Sequence, residues 1–85
     1  MFSLIYKNSV KKDVEPINTD DLQRISNSIQ ALKLDPLPVG VEKIKIGKES
    51  YYRIRQGDFR IGYRIDLAKK ILEVIFIRRR NERTY

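Results

Sequence analysis

The stretch that decides the fold is YYRIRQGDFRIGYRID, Tyr51–Asp66. On both sides of Gly57-Asp58, apolar and mostly basic residues alternate with a period of two, which is typical of β-strands. Glycine at the first central position of a two-residue loop favours a type II′ hairpin turn. The segment therefore predicts a β-hairpin, with these opposed pairs: Arg55 with Arg60, Ile54 with Ile61, Arg53 with Gly62, and Tyr52 with Tyr63.

This pairing sorts the hairpin side chains onto two faces, because directly opposed residues share a face of the sheet. One face collects Tyr52, Ile54, Ile61 and Tyr63. The other collects the arginines Arg53, Arg55, Arg60 and Arg64. A shift of one residue would bury the arginines, so the hydrophobic pattern fixes the register.

Before the hairpin, the sequence predicts one strand and one or two helices. The apolar run Phe2–Tyr6 predicts a strand in the interior of a sheet. A short helix is expected from Asn8 or Ser9 until Pro16 ends it. A second helix begins after Asn18, a good N-cap. Its apolar stripe consists of Leu22, Ile25, Ile29 and Leu32.

Two further strands flank the hairpin. Residues 43–46 alternate lysine and isoleucine, and Gly47-Lys48 predicts a turn that leads into the hairpin. The segment Ile71–Ile77 is apolar on both faces apart from Glu73, which is typical of a central strand. The element order is one strand, one or two helices and four strands. It predicts a single α+β domain over residues 1–85, with a small antiparallel or mixed sheet and the helices on one sheet face.

Composition excludes several classes of protein. The 85 residues carry a net charge of +7 and contain neither cysteine nor histidine. Disulfides, thiolate metal sites, His-ligated zinc and Ser-His triads are therefore excluded, and the absence of cysteine suits a reducing cytoplasm. The sequence has no apolar run of about 18 residues, so it predicts no membrane span. The first residues have no basic segment or cleavage site of a secretion signal, so we expect a cytoplasmic location.

The positive charge is concentrated in residues 43–85, which contain thirteen basic and five acidic side chains. Opposed arginines repel one another in a sheet unless an anion relieves them, and arginine binds phosphate with two parallel hydrogen bonds. This half therefore predicts a surface for a polyanion, nucleic acid ahead of anionic lipid, the alternative being a solvated basic surface. The candidate RNA-binding residues are Lys43, Lys45, Arg53, Arg55, Arg64, Arg78, Arg80 and Arg83.

Catalysis is harder to predict than binding. RNA is cut when its own 2′-hydroxyl attacks the neighbouring phosphate, and a protein assists by moving protons and stabilising the added negative charge. Without histidine, the candidates are tyrosine, arginine, lysine and a few carboxylates. Tyr85 follows four arginines within seven residues, and neighbouring cations favour a phenolate. The alternative for Tyr85 is a frayed terminal residue.

Two motifs resemble the RelE/ParE toxin superfamily, and the resemblance covers nearly the whole chain. YRIRQGDFRIGYRI, residues 52–65, is similar to the family's R-x-G-D-[YF]-R-[VI]-x-Y hairpin. Residues 74–85, VIFIRRRNERTY, are similar to its last strand and basic tail. The resemblance implies a β-α-α-β-β-β-β fold and a metal-independent, ribosome-dependent endoribonuclease that needs no cofactor and acts on mRNA in the ribosomal A site.

The resemblance also implies residue roles. Arg60 would hold the scissile phosphate, Arg79 would act as general acid or charge stabiliser, and Tyr85 would act as general base. Arg80 is an alternative for the role of Arg79. Arg53 and Arg55 match the positions that line the RNA path.

The resemblance leaves the target open. A gyrase-directed toxin of the same fold and a non-catalytic RNA-binding member are the alternatives to an mRNA-cleaving toxin. Each toxin reading implies a cognate antitoxin that masks or distorts the basic site in a hetero-oligomeric complex. No metal is expected, because the carboxylates are not clustered along the chain.

Overall fold

A five-stranded sheet and two helices make up residues 1–79, the part of the chain that the computed structural model describes. In chain order the elements are β1 (Ser3–Tyr6), α1 (Val10–Val14), α2 (Thr19–Leu32), β2 (Glu42–Ile46), β3 (Glu49–Gln56), β4 (Phe59–Asp66) and β5 (Ile71–Arg79). The predicted α+β architecture is confirmed.

The strands lie in the order β1-β5-β4-β3-β2, with β1 parallel to β5 and every other pair antiparallel. The prediction that β5 is a central strand is confirmed. The prediction that β1 is interior was wrong, because β1 forms an edge of the sheet. Leu4 of β1 and the preceding Phe2 pack against the core, while Ile5 and Tyr6 remain about half exposed.

The β3–β4 hairpin has the predicted register. Arg55 lies opposite Arg60 and Tyr52 lies opposite Tyr63. Gly57 has a φ of 59°, whereas Asp58 has a negative φ, which is the combination that a type II′ turn requires. Only glycine adopts this first turn position without strain, so Gly57 and the alternating faces together determine the hairpin.

Helix α1 ends, and helix α2 begins, where the sequence predicts. Helix α1 stops before Pro16, and the Asn18 side chain caps α2 by accepting a hydrogen bond from the Asp21 amide at 2.8 Å. The helices cover the apolar face of the sheet and leave its arginine-bearing face uncovered. The core contains Val10, Ile17, Ile25, Ile29, Leu32, Phe59, Ile61, Tyr63, Leu72, Val74 and Ile77.

Tyr63 links this core to the loop between α2 and β2. Its ring is fully buried, and its hydroxyl donates a hydrogen bond to the Pro36 carbonyl at 2.7 Å. Burial, together with the nearby Tyr52 and Asp35, raises the pKa of Tyr63 to about 12. Its phenol therefore stays protonated at physiological pH and has a structural role.

A side chain from α1 completes the hydrogen bonding of β5. Strand β1 pairs only with residues 71–74 of β5, so the backbone beyond Val74 has no neighbouring strand on that side. There the Asp13 carboxylate accepts a hydrogen bond from the Ile77 amide at 3.1 Å. This contact fixes α1 against the strand that leads into the basic tail.

We expect Asp13→Ala to lower the free energy of unfolding by about 1–2 kcal/mol, because it leaves a partly buried amide without an acceptor. Urea unfolding followed by circular dichroism measures the change. Glu15→Ala serves as the control, because it removes the same charge from an exposed position two residues further along the chain. Equal losses in the two variants would show that the hydrogen bond to Ile77 contributes nothing measurable.

Candidate nucleic-acid interface

Three arginines lie side by side across the uncovered face of the sheet. Arg55 of β3 is directly opposite Arg60 of β4, and Arg60 is directly opposite Arg78 of β5. We call these three residues the arginine row. Their shared face follows from the pairing register, and it is the face opposite the helices.

A β-bulge in β5 brings Arg78 into this row. Tyr63 pairs with Val74, but Gly62 pairs with Phe76, so Ile75 is an extra residue in the strand. Because side chains alternate along a strand, the extra residue exchanges the two faces for the rest of β5. Without the bulge, Ile77 rather than Arg78 would lie opposite Arg60.

Arg60, at the centre of the row, has an unsatisfied donor. Its Nε atom is buried and has no hydrogen-bond partner among the described residues. Within residues 1–79, neither Arg60 nor Arg78 lies within 4.0 Å of a carboxylate. Buried donors in native proteins are normally paired, so this one needs an acceptor that does not come from residues 1–79. A phosphate oxygen fits, since guanidinium groups bind phosphate with charge-assisted hydrogen bonds.

Aromatic rings lie next to the arginine row on the same face. The Phe76 ring extends over Gly62, where a Cβ atom would come within 2.2 Å of it. The Arg78 guanidinium lies 4.9 Å from the centre of this ring, and Tyr51 contacts it edge-on at 5.5 Å between ring centres. Phe76 thus positions Arg78 by a cation–π contact, and Gly62 provides the space that Phe76 needs.

The other arginines of this face have carboxylate partners. Arg53 donates to Glu42 from Nε and Nη2 at 3.2 and 3.1 Å, and Arg55 approaches the same oxygen at 3.8 Å. Arg64 lies 3.8 Å from Glu49. The expectation that the arginines lack carboxylates therefore holds only for part of the face. Counting within residues 43–85 missed Glu42, which β2 places directly opposite Arg53.

Several predicted residues are not brought together with the row. Lys43 and Lys45 pair with Tyr52 and Ser50, so they lie on the helix-side face. Arg79 pairs with the buried Phe59 and stacks on its ring at 5.0 Å, also on the helix side. Arg80, Arg83 and Tyr85 lie outside the described residues.

Sequence reasoning missed Glu42 and Phe76. An alternating pattern already indicated that residue 42 would share a face with residue 44, and this could have placed Glu42 near Arg53. Phe76 had no such signal, because β5 is apolar on both faces and a bulge in it leaves the composition unchanged.

Neither helix in the described part of the chain has the length and hydropathy needed to cross a bilayer. Within residues 1–79, no three Asp or Glu side chains come together as a group that could hold a metal ion. The uncovered face offers guanidinium and aromatic groups, and its chemistry suits an anionic, base-containing ligand.

Comparisons with known structures place this fold among bacterial and archaeal toxins. The RelE–RelB complex of Pyrococcus horikoshii matches with a TM-score of 0.81 and 20% identity, over 96% of this chain and 98% of that one. The isolated RelE toxin of E. coli matches with a TM-score of 0.81 and 12% identity, over 99% and 89%. At these identities the likeness shows a shared RelE-like fold.

Sequence comparisons define the family. The RelE1 protein of Methanocaldococcus jannaschii is 28% identical over 82 residues, which is 93% of this chain and 90% of that protein. The family model for the ParE toxin of type II toxin–antitoxin systems matches residues 4–84. The match includes the arginine row, Phe76 and nearly all of the sheet. The protein is therefore a toxin of the RelE/ParE type and belongs to the ParE toxin family of type II toxin–antitoxin systems.

Proposed function

We propose that the protein is an endoribonuclease that cleaves mRNA in the ribosomal A site, through attack of a 2′-hydroxyl on the adjacent phosphate. The observation that carries this proposal is Arg60, whose buried Nε has no partner within residues 1–79 and whose neighbours across the sheet are two further arginines. A single phosphate at this position would satisfy the unpaired donor. It would also relieve the repulsion within the arginine row.

The row suits the charge that develops during cleavage. Attack of the 2′-oxygen places an additional negative charge on the phosphoryl oxygens, and fixed donors near these oxygens lower the barrier. Arg60 and Arg78 form no ion pair with a carboxylate of residues 1–79, so both are available for this role. Arg55 shares its charge with Glu42 and contributes less.

The structure changes how we assign the tail residues. Arg79 stacks on Phe59 on the helix side, whereas Arg78 lies beside Arg60. We therefore propose Arg78 as the second phosphate-binding arginine, in place of the role first expected for Arg79. Tyr85 and Arg80, which lie outside the described residues, stay candidates for proton transfer.

The composition fits the dependence on the ribosome that the family resemblance implies. The chain has no histidine to serve as a base near neutral pH, and the buried Tyr63 is held protonated. Orientation of the reacting groups can contribute about 7–11 kcal/mol to lowering a barrier. We propose that the ribosome supplies this orientation by fixing the message in the A site, so that a catalyst with modest acid–base chemistry suffices.

The protein partner that we propose is a cognate antitoxin. Structural neighbours include the RelE–RelB complex of Pyrococcus horikoshii and the RelBE2 toxin–antitoxin complex of Mycobacterium tuberculosis, which matches with a TM-score of 0.80 and 18% identity over 93% of this chain and 98% of that one. An antitoxin that neutralises the arginine row would inactivate the toxin in a cytoplasmic hetero-oligomer.

Inhibition of DNA gyrase is the second candidate function, and the family model favours it, since that model describes ParE toxins. The arginine row suits a protein or DNA polyanion as well as mRNA. The geometry therefore separates mRNA cleavage from gyrase inhibition only through the fit of one phosphate at Arg60. The non-catalytic alternative keeps the same binding surface without cleavage.

The test is to induce the protein alone and map the 5′ ends of a translated message by primer extension, with a DNA-damage reporter in the same cells. We expect new ends within the translated codons and an unchanged reporter. The same message with its start codon removed is the control and should stay intact. An intact translated message together with an induced reporter would replace this proposal with gyrase inhibition.

A further inference from the structure

Among the carboxylates on the arginine-bearing face, Glu42 is the one that contacts two arginines within residues 1–79. Glu42, the first residue of β2, is directly opposite Arg53. Its Oε1 atom accepts hydrogen bonds from Nε and Nη2 of Arg53 at 3.2 and 3.1 Å, and it lies 3.8 Å from Nε of Arg55. A single oxygen of Glu42 therefore contacts two of the arginines that the hairpin brings together.

The contacts of Glu42 resemble those that a phosphate would make. Carboxylate and phosphate oxygens both accept charge-assisted hydrogen bonds from the guanidinium fork. The hydrogen bonds to Glu42 occupy two of the donors of Arg53. Only 19% of the Arg53 side chain is exposed. The face is thus neutralised towards β2 and stays cationic at Arg60 and Arg78.

Stability alone gives little reason for this pair. The Glu42 side chain is 39% exposed and sits on an edge strand, and ion pairs at such positions contribute little to the free energy of folding. Its effect on the charge of the face is larger, since it offsets one of the four hairpin arginines. Glu42 is therefore placed to control which arginines meet an anion.

We propose that Glu42 is an internal competitor of RNA: it occupies Arg53 and part of Arg55, and so confines the phosphate backbone to Arg60 and Arg78. This inference rests on the proposed RNA-binding function of the arginine row. It adds a residue that limits non-specific binding by a strongly basic protein. Removal of the Glu42 charge frees Arg53 and Arg55 to bind phosphates, in addition to the proposed phosphate contacts of Arg60 and Arg78.

The test compares Glu42→Gln with Glu49→Gln in binding to a fluorescent single-stranded RNA oligonucleotide over a range of KCl concentrations. Both substitutions remove one negative charge and so raise the net charge by one. Glu49, however, is 79% exposed and only approaches Arg64 at 3.8 Å. We expect Glu42→Gln to bind about fivefold more tightly at low salt, with a log–log salt slope steeper by about 0.7 for each added phosphate contact. We expect Glu49→Gln to change the affinity less than about twofold and to leave the slope unchanged, since exposed charges are strongly screened.

Arg53→Ala in both backgrounds separates competition from a general gain of charge. It should weaken RNA binding little in the wild-type protein, where Glu42 occupies Arg53, and should cancel most of the gain in the Glu42→Gln background. Glu42→Ala removes the same carboxylate and repeats the test if the glutamine variant folds poorly.

Equal gains from Glu42→Gln and Glu49→Gln would overturn the proposal, as would weaker binding by Glu42→Gln. These measurements use RNA without ribosomes, whereas the proposed cleavage is read on translating ribosomes. A protein that binds as expected but leaves messages intact would contradict the nuclease function alone. Cleavage with no effect of Glu42 on binding would contradict the competitor role alone.

Discussion

Replacement of Arg60 by alanine is expected to lower the rate of mRNA cleavage on translating ribosomes by about 10²–10³-fold, the loss typical of removing one donor that stabilises a developing anion. Arg60 is the central member of the arginine row, and its buried Nε has no partner in the described part of the chain. The free energy of unfolding should fall little or even rise, because the substitution removes an unsatisfied donor and like-charge repulsion. Single-turnover cleavage and urea unfolding measure the two effects.

Two matched variants make this expectation specific. Arg60→Lys keeps the charge but loses the planar fork, so it should retain only part of the activity. Arg24→Ala removes an arginine from the exposed face of α2, where it pairs with Asp21, and should cleave at the wild-type rate. Wild-type cleavage by Arg60→Ala, or an equal loss in Arg24→Ala, would remove Arg60 from the site.

The hairpin could be predicted because independent constraints agree there. The turn requires Gly57 at a positive φ, and only one register places Ile54 with Ile61 on the core side and the arginines on the other. Strand β1 had no comparable constraint. A short apolar run is compatible with both a central and an edge position, so local sequence left its place open.

The site could be predicted only in part, for a similar reason. Arg55 and Arg60 follow from the hairpin register, but the position of Arg78 depends on the bulge at Ile75. Since β5 is apolar on both faces, a shift of face within it changes no pattern that the sequence reveals. The same shift places Arg79 on Phe59, away from the arginine row, whereas resemblance had implied a role for it as general acid or charge stabiliser.

The second large effect is expected for Gly62→Val, which should lower the free energy of unfolding by about 1–3 kcal/mol through overpacking. Valine has the higher β-propensity, so an ordinary position in a central strand would gain from the change. At Gly62, however, a Cβ atom would come within 2.2 Å of the Phe76 ring. The ring must move, and Arg78, which lies against it, must move with it.

Displacement of Arg78 should also reduce cleavage by about tenfold or more, since small errors in the position of a catalytic group are costly. Phe76→Ala in the Gly62→Val background separates the two effects. The double variant should recover most of the stability, because no ring remains to collide with the valine, and the coupling between the two changes measures that clash.

Cleavage should stay low in the double variant, because Arg78 has lost the ring that positions it beside Arg60. Stability restored without activity would show that Gly62 matters to the site through Phe76 and Arg78, and not through the fold alone. A Gly62→Val protein as stable and as active as the wild type would show that Phe76 has room to move without affecting the arginine row.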